Sequence, residues 1–349
     1  MRSANRKNQG GIRLLRISTV WTVLIAALAI LVVVAVAIGR AGYSFDSIVH
    51  TLYAAVTGQT LSNEEKTILV VVTNLRLPRV VLAILVGAAL SSAGALLQAV
   101  MRNPLADPGT IGVSAGAGTA AITVLLIFPN LSMSLPLFAF IGAALACILI
   151  YALAWKGGVD PVRIILSGVA INSVLGGYNS LLQLMNSDNL SGVLAFMNGS
   201  LSGMSWVHVG IMWLYTVVGL FLALLCIRHA NALQLGDEMA KNLGIRVNAS
   251  RICLSAVSAF LAASTVSVVG MIGFVGLVVP HIARMLVGSD YKVMLPTSIL
   301  LGGVVLLFAD TVGRTIVPGM EIPVGVVMSV SGGPFFLYML RKRGKFNGG

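Results

Sequence analysis

The sequence predicts an all-α polytopic membrane protein, and its composition, its long apolar stretches and the placement of its charges support this fold class. Of its 349 residues, 57% are hydrophobic and only 10% are charged, with a mean hydropathy of +0.96, whereas a typical soluble domain carries about 25% charged residues. Stretches such as 17–38 and 80–101 have the roughly 20 residues that a helix needs to cross the hydrocarbon core. This composition does not suit a water-soluble fold.

Apolar runs bounded by charged residues, Pro and Gly predict about ten transmembrane helices in a single domain, 1–349. The boundary near Gly270 is the least defined. An N-terminal signal peptide is disfavoured, because the first apolar run is longer than the 7 to 15 residues typical of one. The predicted spans are 17–38, 80–101, 110–128, 135–155, 162–184, 206–227, 252–269, 272–287, 293–312 and 324–340.

The distribution of positive charge predicts the orientation. An even number of spans puts both termini on one side, and placing that side in the cytoplasm leaves only five of the 23 Lys and Arg residues outside, as the positive-inside rule requires. The residues left outside are Arg40, Lys66, Arg76, Arg79 and Arg314. The predicted cytoplasmic segments include residues 1–16, the loop 231–248 and the tail 341–349. The net charge of +12 therefore reflects topology, and no nucleic acid is expected as a partner.

Sequence motifs give no support for catalysis. The chain has no GxxxxGK[ST] loop and no HExxH helix. Its three Cys and four His residues show no metal-ligand spacing. We therefore expect no enzymatic activity, metal or cofactor in this chain, and any ATP and Mg²⁺ would be bound by a partner.

Four local sequences are too polar and too regular for lipid-facing helices. The first comprises RLPR at 76–79, GAAL at 87–90, RNPLADP at 102–108 and GVSAGA at 112–117. The others are LGDEMAKNLG at 235–244, GFVGLVVPHIAR at 273–284, and EIPVGV at 321–326 followed by GGPF at 332–335. Together, in this order, they resemble the FecCD-type permeases, the transmembrane subunits of type II ABC importers for iron-siderophores, haem and cobalamin. The resemblance covers the chain from about residue 70 onward.

The resemblance implies a multi-pass permease in the bacterial cytoplasmic membrane, with an identical or paralogous second permease subunit, cytoplasmic ABC ATPase subunits and an external substrate-binding protein. Iron(III)-siderophore is the expected cargo, with haem or cobalamin as alternatives. A secondary transporter would need ion-coupling carboxylates at the membrane midplane, and the sequence places none there. A zinc or manganese permease would need His or carboxylate in the pathway spans, which the sequence also does not show.

The loop 231–248 is predicted to contain a short amphipathic helix, because its apolar residues recur at nearly helical spacing. In the resembled family this loop contacts the ATPase; the alternative is a solvated connector. The residues expected to couple to the ATPase are Leu235, Gly236, Asp237, Glu238, Met239, Ala240, Leu243 and Gly244.

Arg76, Arg79 and Arg314 are the basic residues of interest on a side that is otherwise poor in them. By resemblance they dock acidic residues of the binding protein, and arginine can pair bidentately with carboxylates. The alternative is interfacial anchoring or an internal pair, because Asp310 and Arg314 stand at i,i+4.

Two further groups are assigned to the pathway. Asn103, Pro104 and Leu105, with Asp160 and Pro161, resemble the cytoplasmic gate of the family, although ordinary loop breaks would also place Pro there. The fifth span has a polar content that is costly against lipid, so it is expected to line the pathway or to hydrogen-bond neighbouring helices. Its polar residues are Asn172, Ser173, Tyr178, Asn179 and Gln183. Residues 186–205 are predicted to form an outer loop with a short helix.

Overall fold

The computed structural model describes residues 2–39, 42–156, 158–186 and 190–344, with the backbone alone at 2–13, 110–111, 339–340 and 342–344. Within these ranges the chain is all-α, and a single isolated bridge, Trp155 to Val159, is the only β pairing. This confirms the predicted fold class. Arg40 and residues 345–349 of the predicted tail lie outside the described residues.

Fifteen α-helices follow one another in the described part of the chain. They are α1 (Arg2–Ala37), α2 (Phe45–Val56), α3 (Asn63–Val71), α4 (Leu77–Met101), α5 (Val113–Ile127), α6 (Leu135–Ala154), α7 (Pro161–Met185), α8 (Leu190–Asn198), α9 (Trp206–Leu225), α10 (Ile227–Gln234), α11 (Asp237–Asn242), α12 (Val247–Val269), α13 (Val275–Val287), α14 (Tyr291–Thr315) and α15 (Val324–Gly344). A π-helical turn, Val72–Arg76, joins α3 to α4, and short 3-10 helices precede α5 and α6.

Seven helical segments among the described residues are long and apolar enough to cross a membrane, and three shorter apolar helices accompany them. These segments match the predicted spans in order, but the count of ten crossings and the cytoplasmic termini remain predictions. Several predicted boundaries differ from the structure; the seventh span, for example, begins at Val247 instead of residue 252. The second span is part of a 39-residue helical segment that begins at Asn63. The eighth begins only at Val275, because Gly270 adopts φ +76° and ends α12, and residues 270–274 are not helical.

The helices α2 and α3 were not predicted, although the sequence carries a signal for each. Ser44 accepts a hydrogen bond from the backbone of Ser47 at the start of α2. Ser62 and Glu65 form a complete capping box at the start of α3. The predicted short helix within 186–205 is confirmed as α8, apart from residues 187–189, which lie outside the described residues.

Helix α4 is the central helix of the bundle, because 83% of the 18 most apolar consecutive residues in its segment are buried. Glycine lets its neighbours approach closely: a Cβ at Gly87 would overlap the carbonyl of Gly302 on α14, and a Cβ at Gly94 would overlap the carbonyl of Gly276 on α13. Small residues at such crossings bring helix backbones into contact within a membrane. The ends of α4 therefore occupy fixed positions, and the two candidate sites lie at these ends.

Candidate functional site

A cluster of four charged side chains, which we call the charge cluster, lies beside the N-terminal end of α4. Arg79 binds Asp310 of α14 bidentately, with its Nε 3.1 Å from both carboxylate oxygens and its Nη2 2.9 Å from Oδ1. Its Nη1 lies 2.8 Å from Glu321, in the segment between α14 and α15. Arg314 completes the cluster, with its Nε 3.2 Å from Oδ2 of Asp310. The Asp310 carboxylate, only 1% exposed, thus contacts two guanidinium groups, and Glu321 supplies the second negative charge of the cluster.

Arg76 and Arg314 also bind the end of α1. Arg76 Nη1 donates to the carbonyl oxygens of Val36 at 2.6 Å and Ala37 at 2.8 Å. Arg314 Nη2 donates to the carbonyl of Ala35 at 3.2 Å. The last carbonyls of a helix have no partner within it, so these two cations satisfy groups that would otherwise be unpaired.

The structure therefore brings the three predicted docking arginines together, but each is buried and bound to other parts of the chain. The alternative of an internal Asp310–Arg314 pair is confirmed. The docking role remains a prediction, and a partner carboxylate would have to displace an existing one. Sequence reasoning assigned no role to Glu321; its place in the EIPVGV motif was the signal.

At the other end of α4, the loop 231–248, here called the coupling loop, forms the predicted short helix α11. Leu235, Met239 and Leu243 are 58%, 55% and 56% exposed, whereas Ala240 between them is buried against the bundle. Met239 and Leu243, four residues apart, lie on one face of α11. Leu235 precedes the non-helical Gly236 and lines the same cavity as Leu243. The coupling loop therefore presents an apolar stripe that this chain does not cover.

Asp237 joins the coupling loop to two long helices. Its Oδ1 lies 2.9 Å from Arg251 Nη2 on α12 and 3.6 Å from Arg102 Nη1, directly after α4. Arg251 also donates to the carbonyl of Val159 at 2.9 Å, before α7. The structure thus places Asp237 in an ion-pair network with two arginines that had no predicted role.

The predicted gate residues lie beside this network. Asp160 caps α7 by accepting a hydrogen bond from the Val162 amide at 2.8 Å, and Pro161 begins the helix. Both line a polar cavity of about 760 Å³ that also contains Arg102, Asp237 and Arg251. The expected roles of these residues as a gate remain untested, but their position next to the coupling loop is a structural fact.

The other gate segment, residues 103–105, forms a compact turn in which Asn103 Oδ1 accepts from the Leu105 amide at 2.9 Å. Pro104 lines a smaller cavity of about 190 Å³ with Arg102 and Arg284. Nearby, burial raises the pKa of the Asp107 carboxyl, while a hydrogen bond from the Gly109 amide opposes part of that rise. Arg102 lines both cavities and so connects the two gate segments.

The polar residues of the fifth predicted span lie on α7, but they do not share one face. Asn172, Asn179 and Gln183 follow one another at intervals of seven and four, which places them on one stripe. Tyr178 lies on another side, with its hydroxyl 3.4 Å from Thr123, and Ser173 donates within its own helix to Val169. The Oδ1 atoms of Asn172 and Asn179 are buried without a hydrogen-bond partner among the described residues.

The fold and these sites define the chain as a multi-pass α-helical membrane protein with an exposed apolar stripe on the loop at one end of its central helix. The chain belongs to the FecCD transport family, whose sequence profile matches residues 25–342. This confirms the resemblance seen in the motifs and disfavours a secondary transporter.

Known relatives and a solved structure agree. The chain is 38% identical to the Fe(3+)-citrate import system permease protein YfmE of Bacillus subtilis, over 91% of this chain and 93% of YfmE. It is also 38% identical to the cobalamin import system permease protein BtuC of Halobacterium salinarum, over 78% of this chain and 74% of that one. An inward-facing metal-chelate type ABC transporter matches with a TM-score of 0.79 and 26% identity, covering 93% of this chain and 99% of that chain. The protein is an ABC importer permease.

Proposed function

We propose that this chain and a second permease subunit form the pathway through which an ABC importer takes up an iron(III)-siderophore. An external binding protein delivers the chelate, and a separate cytoplasmic ATPase binds and hydrolyses ATP. The observation that carries this proposal is the exposed stripe of Leu235, Met239 and Leu243 next to the ion pairs of Asp237. The stripe offers a partner an apolar helix face, and Asp237 connects that face to α4 and α12.

The coupling loop supports this mechanism because it joins apolar docking to charged anchoring. An amphipathic helix commonly binds by laying its apolar face into a groove of its partner. Movement of α11 with the ATPase would pull on Arg102 and Arg251, which line the same cavity as the gate residues Asp160 and Pro161. The coupling loop thus offers a direct path from ATPase movement to the inner end of the pathway.

This path is tested by comparing Met239→Asp with Lys241→Asp in the assembled transporter in nanodiscs and proteoliposomes. Both changes place a carboxylate on α11, but only Met239 belongs to the apolar stripe. We expect Met239→Asp to lower cargo uptake by at least the factor by which it lowers ATP hydrolysis, while the external protein binds as before. Lys241→Asp should change uptake little. Equal uptake by Met239→Asp and the wild type would contradict the coupling role.

We further propose that the stripe of Asn172, Asn179 and Gln183 lines the pathway. Helices α1 and α7 are equally exposed, because only 11% of the most apolar 18 residues of each are buried. The mean hydropathy of these residues is 2.9 in α1 but only 1.3 in α7. Lipid suits α1, whereas the polar side chains of α7 are costly against lipid and favour contact with water, cargo or another subunit. Ser173 and Tyr178 remain candidate lining residues on other sides of α7.

Thiol labelling of the assembled transporter tests this assignment, using a background in which the three native cysteines are replaced. Asn172→Cys and Asn179→Cys should react with a membrane-impermeant maleimide, and the reaction should block uptake. Val174→Cys, an exposed apolar position on another side of α7, is the matched control and should remain unlabelled. If Val174→Cys were labelled and the two asparagine variants were not, another side of α7 would line the pathway.

The cargo is proposed to be an iron(III)-siderophore, with haem and cobalamin as the alternatives. Sequence identity alone does not choose among them, because the iron-citrate and cobalamin relatives are both 38% identical to this chain. The external protein selects the cargo, so its affinities for a panel of ferric siderophores, haem and cobalamin provide the test. Binding of cobalamin or haem, but of no ferric siderophore, would replace the proposed cargo.

We also propose ten crossings with both termini in the cytoplasm. The three shorter apolar helices, added to the seven long segments, support this number, and the excess of basic residues supports the orientation. A cysteine introduced at Lys241 should react with impermeant reagents only when inverted vesicles expose the cytoplasmic face. Labelling from outside intact cells would overturn the topology.

A further inference from the structure

Helix α2 has two apolar faces, and the chain covers only one of them. Ile48, Thr51 and Ala54 are buried. Four other residues, Phe45, Val49, Tyr53 and Val56, are between 47% and 88% exposed. Their spacing of four, four and three places them on one stripe along the whole helix, which we call the α2 stripe.

The remaining side of α2 is polar. At about 100° per residue, the α2 stripe spans roughly 80° of the helix and is followed by Asp46, His50 and Thr57. His50 lies on that polar side, with its Nδ1 3.1 Å from Glu65 of α3. A helix with one side against protein, one apolar and exposed, and one polar is suited to the boundary between lipid and water.

The position of α2 relative to α1 places it at that boundary. Ile48 packs in a cluster with Val72 and with Val36, in the last turn of α1. The apolar part of α1, the most hydrophobic segment among the described residues, ends one residue later at Ala37. The buried face of α2 is therefore level with the end of a lipid-exposed helix.

A tryptophan marks the same level independently. Trp206, the first residue of α9, is about half exposed, and its Nε1 donates to the carbonyl of Thr73 at 2.8 Å. Thr73 directly follows Val72 of the α2 cluster. Tryptophan is enriched where hydrocarbon meets the headgroups, so α1 and α9 agree on the position of the membrane surface.

We propose that α2 lies along the membrane surface with the α2 stripe inserted into the lipid of the adjoining leaflet. The partner is the bilayer itself, bound through its acyl chains. Helix α2 has no Lys or Arg, so insertion depends on apolar burial and needs no anionic headgroup. The helix thereby holds the connection between α1 and the π-helical turn Val72–Arg76 at a fixed depth in the membrane.

Spin labelling tests this proposal in the assembled transporter, without the external protein, in phosphatidylcholine nanodiscs. Nitroxides are attached at Val49→Cys and Val56→Cys, with His50→Cys as the control on the polar side, after replacement of Cys147, Cys226 and Cys253. Oxygen concentrates in hydrocarbon and a nickel chelate stays in water. We expect the ratio of oxygen to nickel collisions to be several-fold higher at 49 and 56 than at 50, with the same result when anionic lipid is added.

Two results would overturn the proposal. If positions 49 and 56 collide with nickel as readily as position 50, the stripe faces water. If both are shielded from both reagents, another protein surface covers it. A Tyr53→Trp variant gives a second measurement without a label: lipids brominated in their acyl chains should quench the fluorescence it adds to the wild type, and absence of quenching would also contradict insertion.

Discussion

The two ends of α4 differ in whether the candidate functional side chains beside them are buried and paired or exposed. At the N-terminal end, Arg79 meets Asp310 and Glu321 inside the chain, and the cluster is almost closed to solvent. At the C-terminal end, Met239 and Leu243 of the coupling loop stay more than half exposed.

The difference follows from the cost of leaving each kind of group without a partner. An unpaired charge within or beside hydrocarbon is expensive, so the charge cluster has to be complete within one chain. An exposed apolar stripe of three residues costs little in water, and it gains when a partner covers it. The chain therefore completes its charge pairs internally and leaves this apolar surface uncovered.

The largest expected effect comes from opening the charge cluster. Asp310→Ala leaves Arg79 and Arg314 as neighbouring buried cations, and removing one partner of a buried pair costs about 3 to 5 kcal/mol. The free energy of unfolding should fall accordingly, measured by thermal unfolding in detergent. Glu321→Gln, at a more exposed position, is the control and should lower stability much less. Equal stability of Asp310→Ala and the wild type would show that the cluster does not support the fold.

A smaller loss is expected when the coupling loop is disconnected from α12. Asp237→Ala removes the charged partner of Arg251, and such hydrogen bonds contribute about 1.5 to 3 kcal/mol. We expect ATP hydrolysis to continue while uptake falls, because α11 no longer moves α4 and α12. Glu238→Ala, at the exposed neighbouring position, should leave uptake unchanged. Loss of uptake in both variants would assign the effect to general damage of the loop.

The end of α11 provides a conformational test. Gly244 adopts φ +75°, and no atom lies within 4 Å of a Cβ placed there. Gly244→Val would therefore act through backbone strain of about 1 to 2 kcal/mol, because L-residues disfavour the left-handed region. We expect it to weaken coupling of hydrolysis to uptake with binding of the external protein retained, whereas Gly244→Asn, which tolerates this region, should couple normally. If Asn and Val behave alike, the conformation of Gly244 does not matter.

The smallest expected effect sharpens the docking prediction for the charge cluster. Glu321→Ala frees Nη1 of Arg79 without opening its pair with Asp310. If Arg79 docks an acidic residue of the external protein, affinity should rise by about 0.2 to 1 kcal/mol, and the gain should shrink at high salt. The measurement is the affinity in nanodiscs at two salt concentrations. Unchanged affinity would leave Arg79 with a structural role alone.

Arginine reversal completes that comparison. The docking prediction requires Arg76→Glu and Arg79→Glu to weaken binding and charge-reversed binding-protein partners to restore it. Both arginines also make contacts within the chain that stabilise the fold. Affinity for the binding protein is therefore compared only among variants whose thermal unfolding matches that of the wild type. Rescue by a reversed partner would be specific to docking, because internal damage would not respond to a change in the other protein.

The sequence by itself determined the helical membrane fold, the order of the apolar helices and the family. These features depend on the amount and the spacing of apolar residues, which a bilayer constrains strongly. The short helix α11 within 235–244 was also predictable, because the apolar residues of this segment recur at nearly helical spacing. The capping signals at Ser44 and Ser62 are local too, so the starts of α2 and α3 were predictable in the same way.

Only the tertiary structure decided which charges meet and which surfaces remain uncovered. Arg79 and Asp310 are 231 residues apart in the sequence, and Asp237 finds Arg251 and Arg102 only after α4, α11 and α12 have packed together. Hydrophobic spacing shows that a residue lies on a given face of its helix, but not which helix packs against that face. For this reason the sequence could place Arg79 at the end of a span and could not show that a carboxylate within the same chain already neutralises it.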